Sequence, residues 1–104
     1  MSERSERTPA DVVDRVEEQR FVLEQDNREA ELVYRRLGPR LVLIHTEVPE
    51  ELGGRGVGGL LVQAAVARAQ AEGLTLEPQC PFARKWLRDH PDVTRTVVVA
   101  WPDG

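Results

Sequence analysis

Five glycines in seven residues, Gly53-Gly54-Arg55-Gly56-Val57-Gly58-Gly59, separate a β-branched apolar run from a helical pattern. Each glycine costs about 0.5–1 kcal/mol against alanine inside a helix or strand, so this density predicts a loop that opens straight into a helix. The helix runs from about Val57 to Glu72, with Leu60, Ala64, Ala67 and Ala71 on one stripe. Val62, Ala65, Val66 and Ala69 widen the apolar surface, and the small alanines allow close approach to a sheet. Gly73 is placed to end the helix in the left-handed conformation.

Strands flank this unit. Arg20 to Gln25 has strand composition, and Asp26-Asn27 supplies turn chemistry because both side chains tolerate left-handed backbone. After the turn, Ala30, Leu32 and Tyr34 alternate with charged residues, which predicts a hairpin with one half-buried face. Gly38-Pro39 turns the chain into Leu41-Val42-Leu43-Ile44-His45-Thr46-Glu47-Val48, a run that fits a central strand ended by Pro49. Leu74 to Glu77 is a short strand, Pro81 opens a second helix reaching about Asp89, and Thr96 to Ala100 is a last strand. The segment from Asp11 to Glu18 reads as either a helical turn or a strand lead-in. The order is β-β-β-α-β-α-β: an α/β domain with a mixed, mostly antiparallel sheet and two main helices.

A chain of 104 residues has room for one domain and one modest core. Residues 1–10 are polar and broken by Pro9, so they are expected to be a disordered tail to a single domain over 11–104. No apolar run approaches the roughly 18 residues of a membrane span, and the charged start is unlike a secretory signal. With 14 basic and 18 acidic side chains spread evenly, there is no basic arm to grip nucleic acid. The single cysteine, Cys80, precludes an internal disulfide framework and a cysteine-rich zinc site, so no metal is expected. That usage suits the cytoplasm.

Successive glycines let backbone N–H groups converge, and a helix start adds partial positive charge, so the loop suits a phosphate. A Walker loop requires Gly-Lys-Ser or Gly-Lys-Thr, where this chain has Gly58-Gly59-Leu60. A dinucleotide fingerprint requires a longer strand–helix–strand unit than the one here. A coenzyme A pyrophosphate loop is the remaining phosphate reading, beside a plain flexible turn with no ligand.

Tyr34, the segment Ile44-His45-Thr46-Glu47-Val48-Pro49, the loop Leu52 to Gly58 and Pro78-Gln79-Cys80-Pro81-Phe82 follow one another in a recognisable order. Over about residues 20–97 the chain resembles the minimal acetyltransferase-like family of the GNAT superfamily of N-acetyltransferases. The resemblance implies acetyl-CoA as co-substrate and a small-molecule or protein amine as acceptor. It also implies that Gly53, Gly54, Arg55, Gly56, Val57 and Gly58 hold the pyrophosphate, with a backbone N–H near Val48 polarising the thioester carbonyl, and Arg84 is a further candidate for binding the cofactor. The superfamily loop begins with Arg or Gln where this chain has Gly53, leaving Arg55 to supply charge, and the tyrosine that commonly follows the fifth strand is missing.

Two side chains are candidates for the chemistry. His45, late in its strand, is a suitable base for an ammonium group, and Glu47 shares its face by the period of two. Cys80 precedes a helix start and has Arg84 one turn on, an environment that favours a thiolate; it is a candidate acid or nucleophile. The competing readings are a histidine bonded to backbone and a small buried cysteine. His90 is accounted for by its place at a helix end, and Phe82 and Trp86 read as core. A coenzyme A-binding or protein-interaction module without turnover, and a thiol redox sensor, are the other functions this sequence allows.

Overall fold

Asp26 and Asn27 take positive φ angles of 54° and 64°, which closes a two-residue hairpin turn between β2 (Arg20–Gln25) and β3 (Arg28–Leu37). The structure, a computed structural model, describes residues 11–53 and 56–102; the expected N-terminal tail and Gly54 and Arg55 of the loop lie outside the described residues. Register places Phe21 opposite Leu32 and Leu23 opposite Ala30, so these four and Tyr34 share one buried face. β4 (Arg40–Glu47) runs antiparallel to β3 and parallel to β5 (Thr75–Pro78), which in turn pairs in parallel with β6 (Val98–Val99). β1 (Val13–Arg15) adds an antiparallel edge to β2, giving a six-stranded mixed sheet in chain order.

One layer of helix covers the face that carries Phe21, Leu32 and Tyr34. α1 (Val57–Glu72) begins after Gly56 at φ 72° and ends at Gly73 at φ 67°, whose N–H donates to the Ala69 carbonyl. Its buried arc is Val57, Leu61, Val62, Ala65, Val66 and Ala69. The stripe expected from sequence is displaced: Leu60 and Ala64 are half-buried, and Ala67 and Ala71 are exposed. A helix with apolar residues on most of its circumference cannot be phased by its own periodicity, and here a second helix covers part of the other side. That helix, α2 (Pro81–Asp89), is followed by a single turn, α3 (Pro91–Thr94).

The open alternative at Asp11 to Glu18 resolves into β1 and one 3-10 turn, and two local expectations are corrected. The last strand shortens to Val98–Val99 and α3 is additional, so the order is β-β-β-β-α-β-α-α-β. β1 is held by contacts distant in sequence. The Tyr34 hydroxyl donates to Asp14, while Arg68 from α1, its side chain only 12% exposed, donates to both Asp14 (3.0 Å) and the Tyr34 oxygen (2.7 Å). Among the described residues no helix is long and apolar enough to cross a membrane.

That clasp has a direct readout, because Tyr34 is the chain's only tyrosine. Burial, and then the bond to Asp14, push its pKa up to about 12, with Arg68 opposing. The phenolate absorbance of the folded protein should therefore rise near pH 12 rather than near 10. A folded pKa above the unfolded value stabilises fully below the unfolded pKa and loses that contribution as pH climbs through the folded one. The melting temperature should accordingly fall between about pH 10 and 12, and less so in Tyr34→Phe. A tyrosine titrating near pH 10 in the folded protein would rule out the clasp.

Candidate functional site

Strand β4 carries the residues nearest the chemistry, and its register is interrupted. Leu43 lies opposite Tyr34 and His45 opposite Val33, so Ile44 is an extra residue bulged out of the pairing. Leu41 and Leu43 point into the core; unbroken alternation would send His45 after them. The bulge reverses the remainder of the strand. Thr46, opposite Leu32, turns to the helix side, and His45 and Glu47, opposite Val33 and Glu31, turn to the open face. There the His45 side chain is 58% exposed, with Nε2 3.4 Å from Glu47 Oε1.

Beside the bulge the sheet parts. Parallel pairing of β4 with β5 stops at Leu43 and Pro78. The Leu43 carbonyl then accepts two N–H groups, from Gln79 and Cys80, each at 2.9 Å. Pro81 starts α2 and carries the chain away from the sheet. Across the gap, Thr46 Oγ1 stands 3.1 Å from Cys80 Sγ, and Cys80 is buried at 2% exposure. Arg84 folds back so that its guanidinium donates to the Gln79 carbonyl at 3.4 Å.

On the far side of Thr46 from Cys80 lies a cavity of about 730 Å³ between β4, α1 and α2. Thr46 of β4 and Val48 just beyond its end form one wall, and Gly53, Gly56, Val57 and Gly58 form the wall at the start of α1. The first-turn N–H groups of a helix have no acceptor within it, and the partial positive charge of the helix end is greatest there. Gly56 directs that turn: its left-handed backbone precedes Val57, and its carbonyl accepts the Leu60 N–H at 3.1 Å. Such a wall suits an anionic group, and the largely apolar interior suits an extended uncharged chain.

Close packing explains the next glycines. A Cβ on Gly58 would stand 2.6 Å from the Phe82 ring, and one on Gly59 would stand 2.5 Å from Trp86 Nε1. Phe82, Trp86 and His90 are four residues apart on one face of α2 and its end, and all three line the cavity. His90 stacks on Trp86, with ring centroids 3.9 Å apart and planes 13° from parallel, while its Nδ1 lies 2.8 Å from the Trp86 carbonyl oxygen.

Of the residues singled out from sequence, Val48, Gly53, Gly56, Val57 and Gly58 meet at this one cavity. Cys80 sits behind Thr46, Arg84 turns to its own loop, His45 lies across the strand, and Gly54 and Arg55 fall outside the described residues. Sequence reading took Phe82 for core, though it is 44% exposed on the cavity wall, overlooked Thr46 and Gln63, and gave only structural roles to Trp86 and His90. For the last two a signal existed, since extending the Phe82–Trp86 pair by four residues reaches His90. Among the described residues, no three His, Cys, Asp or Glu side chains are grouped to hold a metal ion.

Residues 20–97 match the family described as GCN5-related N-acetyl-transferase. Over 63 residues, 60% of this chain, the sequence is 36% identical to Protein NATD1 of Gallus gallus and of Homo sapiens. The match spans 57% of the former protein and 56% of the latter, less than two thirds of either. The solution structure of a GCN5-like candidate N-acetyltransferase from Staphylococcus aureus superimposes with a TM-score of 0.66 at 31% identity. That likeness covers 83% of this chain and 85% of the other.

Proposed function

Because the chain belongs to the GCN5-related N-acetyltransferase family, we propose that it transfers an acetyl group from acetyl-CoA to an amine. One observation carries the reading: one cavity runs from the glycine-led start of α1 to Thr46 and Val48, where the chain continues past the end of the β4–β5 pairing. The residues fit such a ligand. First-turn N–H groups of α1 and Gly56 would hold its pyrophosphate, and the apolar interior beside Val48 would take the pantetheine arm.

Acetyl-CoA supplies an activated acyl group, whose C–S bond breaks as the amine nitrogen forms a C–N bond, the sulfur leaving as a thiolate that takes up a proton. The chain's own groups then have distinct tasks. A backbone N–H near Val48 polarises the carbonyl. His45, with Glu47 beside it, removes a proton from an amine approaching on the open face of the sheet. The Cys80 thiol, buried behind Thr46, is the proton donor and acts through the Thr46 hydroxyl that lines the cavity, and direct attack by the amine needs no acetyl-cysteine.

Two measurements test this. Acetyl-CoA at about 100 times its Kd stabilises the native state by about 2.7 kcal/mol, which should raise the melting temperature by on the order of 10 °C. Labelled acetyl-CoA incubated with a panel of polyamines, amino-sugars, lysine peptides and free peptide N-termini should then mark an acceptor. No thermal shift would remove the assignment. A shift without label transfer would assign a coenzyme A-binding module, the reading favoured by His45 lying outside the cavity.

A further inference from the structure

The cavity continues past the start of α1 to a wall that a pyrophosphate and a pantetheine arm do not require. Gln63 on α1, the Trp86–His90 stack on α2 and Val93 on α3 enclose that end. We propose that the stack is a nucleobase platform: a purine ring lies on His90, and the Gln63 amide reads its edge. The proposal rests on the acetyl-CoA reading and says which end of such a ligand is recognised by side chains rather than by backbone.

The geometry is that of a flat, fixed support. Trp86 covers one face of the imidazole, and the bond at Nδ1 to the Trp86 carbonyl holds the ring in plane. The face turned away from Trp86 and the Nε2 edge are what His90 can offer a ligand. Below it, the indole edge is seated on Gly59, where a Cβ would collide with Nε1, so the pair cannot sink toward α1. Val93 on the following turn extends the apolar surface.

Chemistry and spacing point to a base. A stacked aromatic pair attracts another π system, and base–aromatic stacking is tolerant of which base is bound. A half-buried Gln amide carries both donors and an acceptor, the pattern that pairs with the N6 and N7 positions of adenine. At 1.5 Å per residue, Gln63 is about 9 Å along α1 from Val57, a distance one ribose and its phosphate linkage can bridge. An anion at the helix start and a base at Gln63 are thus the two ends of one nucleotide.

The experiment uses the full chain in a Trp101→Phe background, leaving Trp86 as the one indole, and titrates two probes by fluorescence. Acetyl-CoA has the nucleotide; S-acetyl-4′-phosphopantetheine keeps a phosphate and lacks the base. The wild-type background should bind acetyl-CoA more tightly and quench Trp86 with that probe alone. His90→Ala, a change at an exposed side chain, should weaken acetyl-CoA about tenfold and leave the truncated probe unchanged. His90→Phe should restore affinity. Equal loss for both probes in His90→Ala, or no loss for either, overturns the platform while leaving the acetyl-CoA reading intact. Binding of neither probe by the wild-type background overturns that reading and the platform with it.

Discussion

Gly56→Val is expected to abolish acetyl-CoA binding at concentrations that saturate the wild type, with Kd rising about a hundredfold. Among the described residues, chain neighbours aside, no atom lies within 4 Å of where a Gly56 Cβ would stand, so the effect is one of conformation and not collision. At φ 72° a β-branched residue is strained, and the chain must re-aim the first-turn N–H groups to relieve it. Charge-assisted hydrogen bonds contribute about 1.5–3 kcal/mol each, so the loss of one or two of them gives roughly this factor. Gly56→Asn is the control, because asparagine enters the left-handed region readily; it should bind within a few-fold of wild type. Calorimetric titration of both variants, with circular dichroism to verify the helix, measures this. Normal binding by Gly56→Val would place the phosphate elsewhere.

Gly59→Val should produce the largest loss of stability. Trp86 Nε1 lies 2.5 Å from the position of the new Cβ, and the indole is clamped from the other side by His90. Overpacking of this kind costs about 1–3 kcal/mol, or roughly 5–20 °C in melting temperature for a domain of this size. Gly58→Val is the informative comparison. Its neighbour Phe82 is 44% exposed and can swing outward, so the penalty should be markedly smaller although the built contact is nearly as short. Trp86→Leu combined with Gly59→Val should recover much of the loss, a non-additivity expected of residues in contact. If the two glycine variants melt together, the clamp on Trp86 is not what fixes Gly59.

Which parts of the molecule could be read in advance follows from where the determining forces act. The bounds of α1, its stop at Gly73, the Asp26-Asn27 turn and the start of α2 at Pro81 are set by backbone preferences of a few adjacent residues. So is the glycine loop at the head of α1, and with it the end of the cavity suited to an anion. These features belong to the sequence alone, because φ preferences and unpaired N–H groups act within a few residues of one another.

The rest is decided between elements. Nothing in Leu41 to Val48 announces a bulge, since the extra residue at Ile44 is imposed by pairing with β3, yet that residue sends His45 outward and Thr46 inward. Three residues of β1 are joined to the sheet by pairing with β2 and are clasped to α1 by the Asp14–Tyr34–Arg68 contacts, which bridge up to 54 positions. The apolar arc of α1 is phased by the sheet on one side and by Phe82 and Trp86 on the other, and His90 enters the site only because Gly59 lets α2 approach. Local propensity fixes where the two long helices and the hairpin turn begin and end. Which face each presents, and so which side chains can reach a ligand, is fixed by the register and packing of strands and helices far apart in the chain.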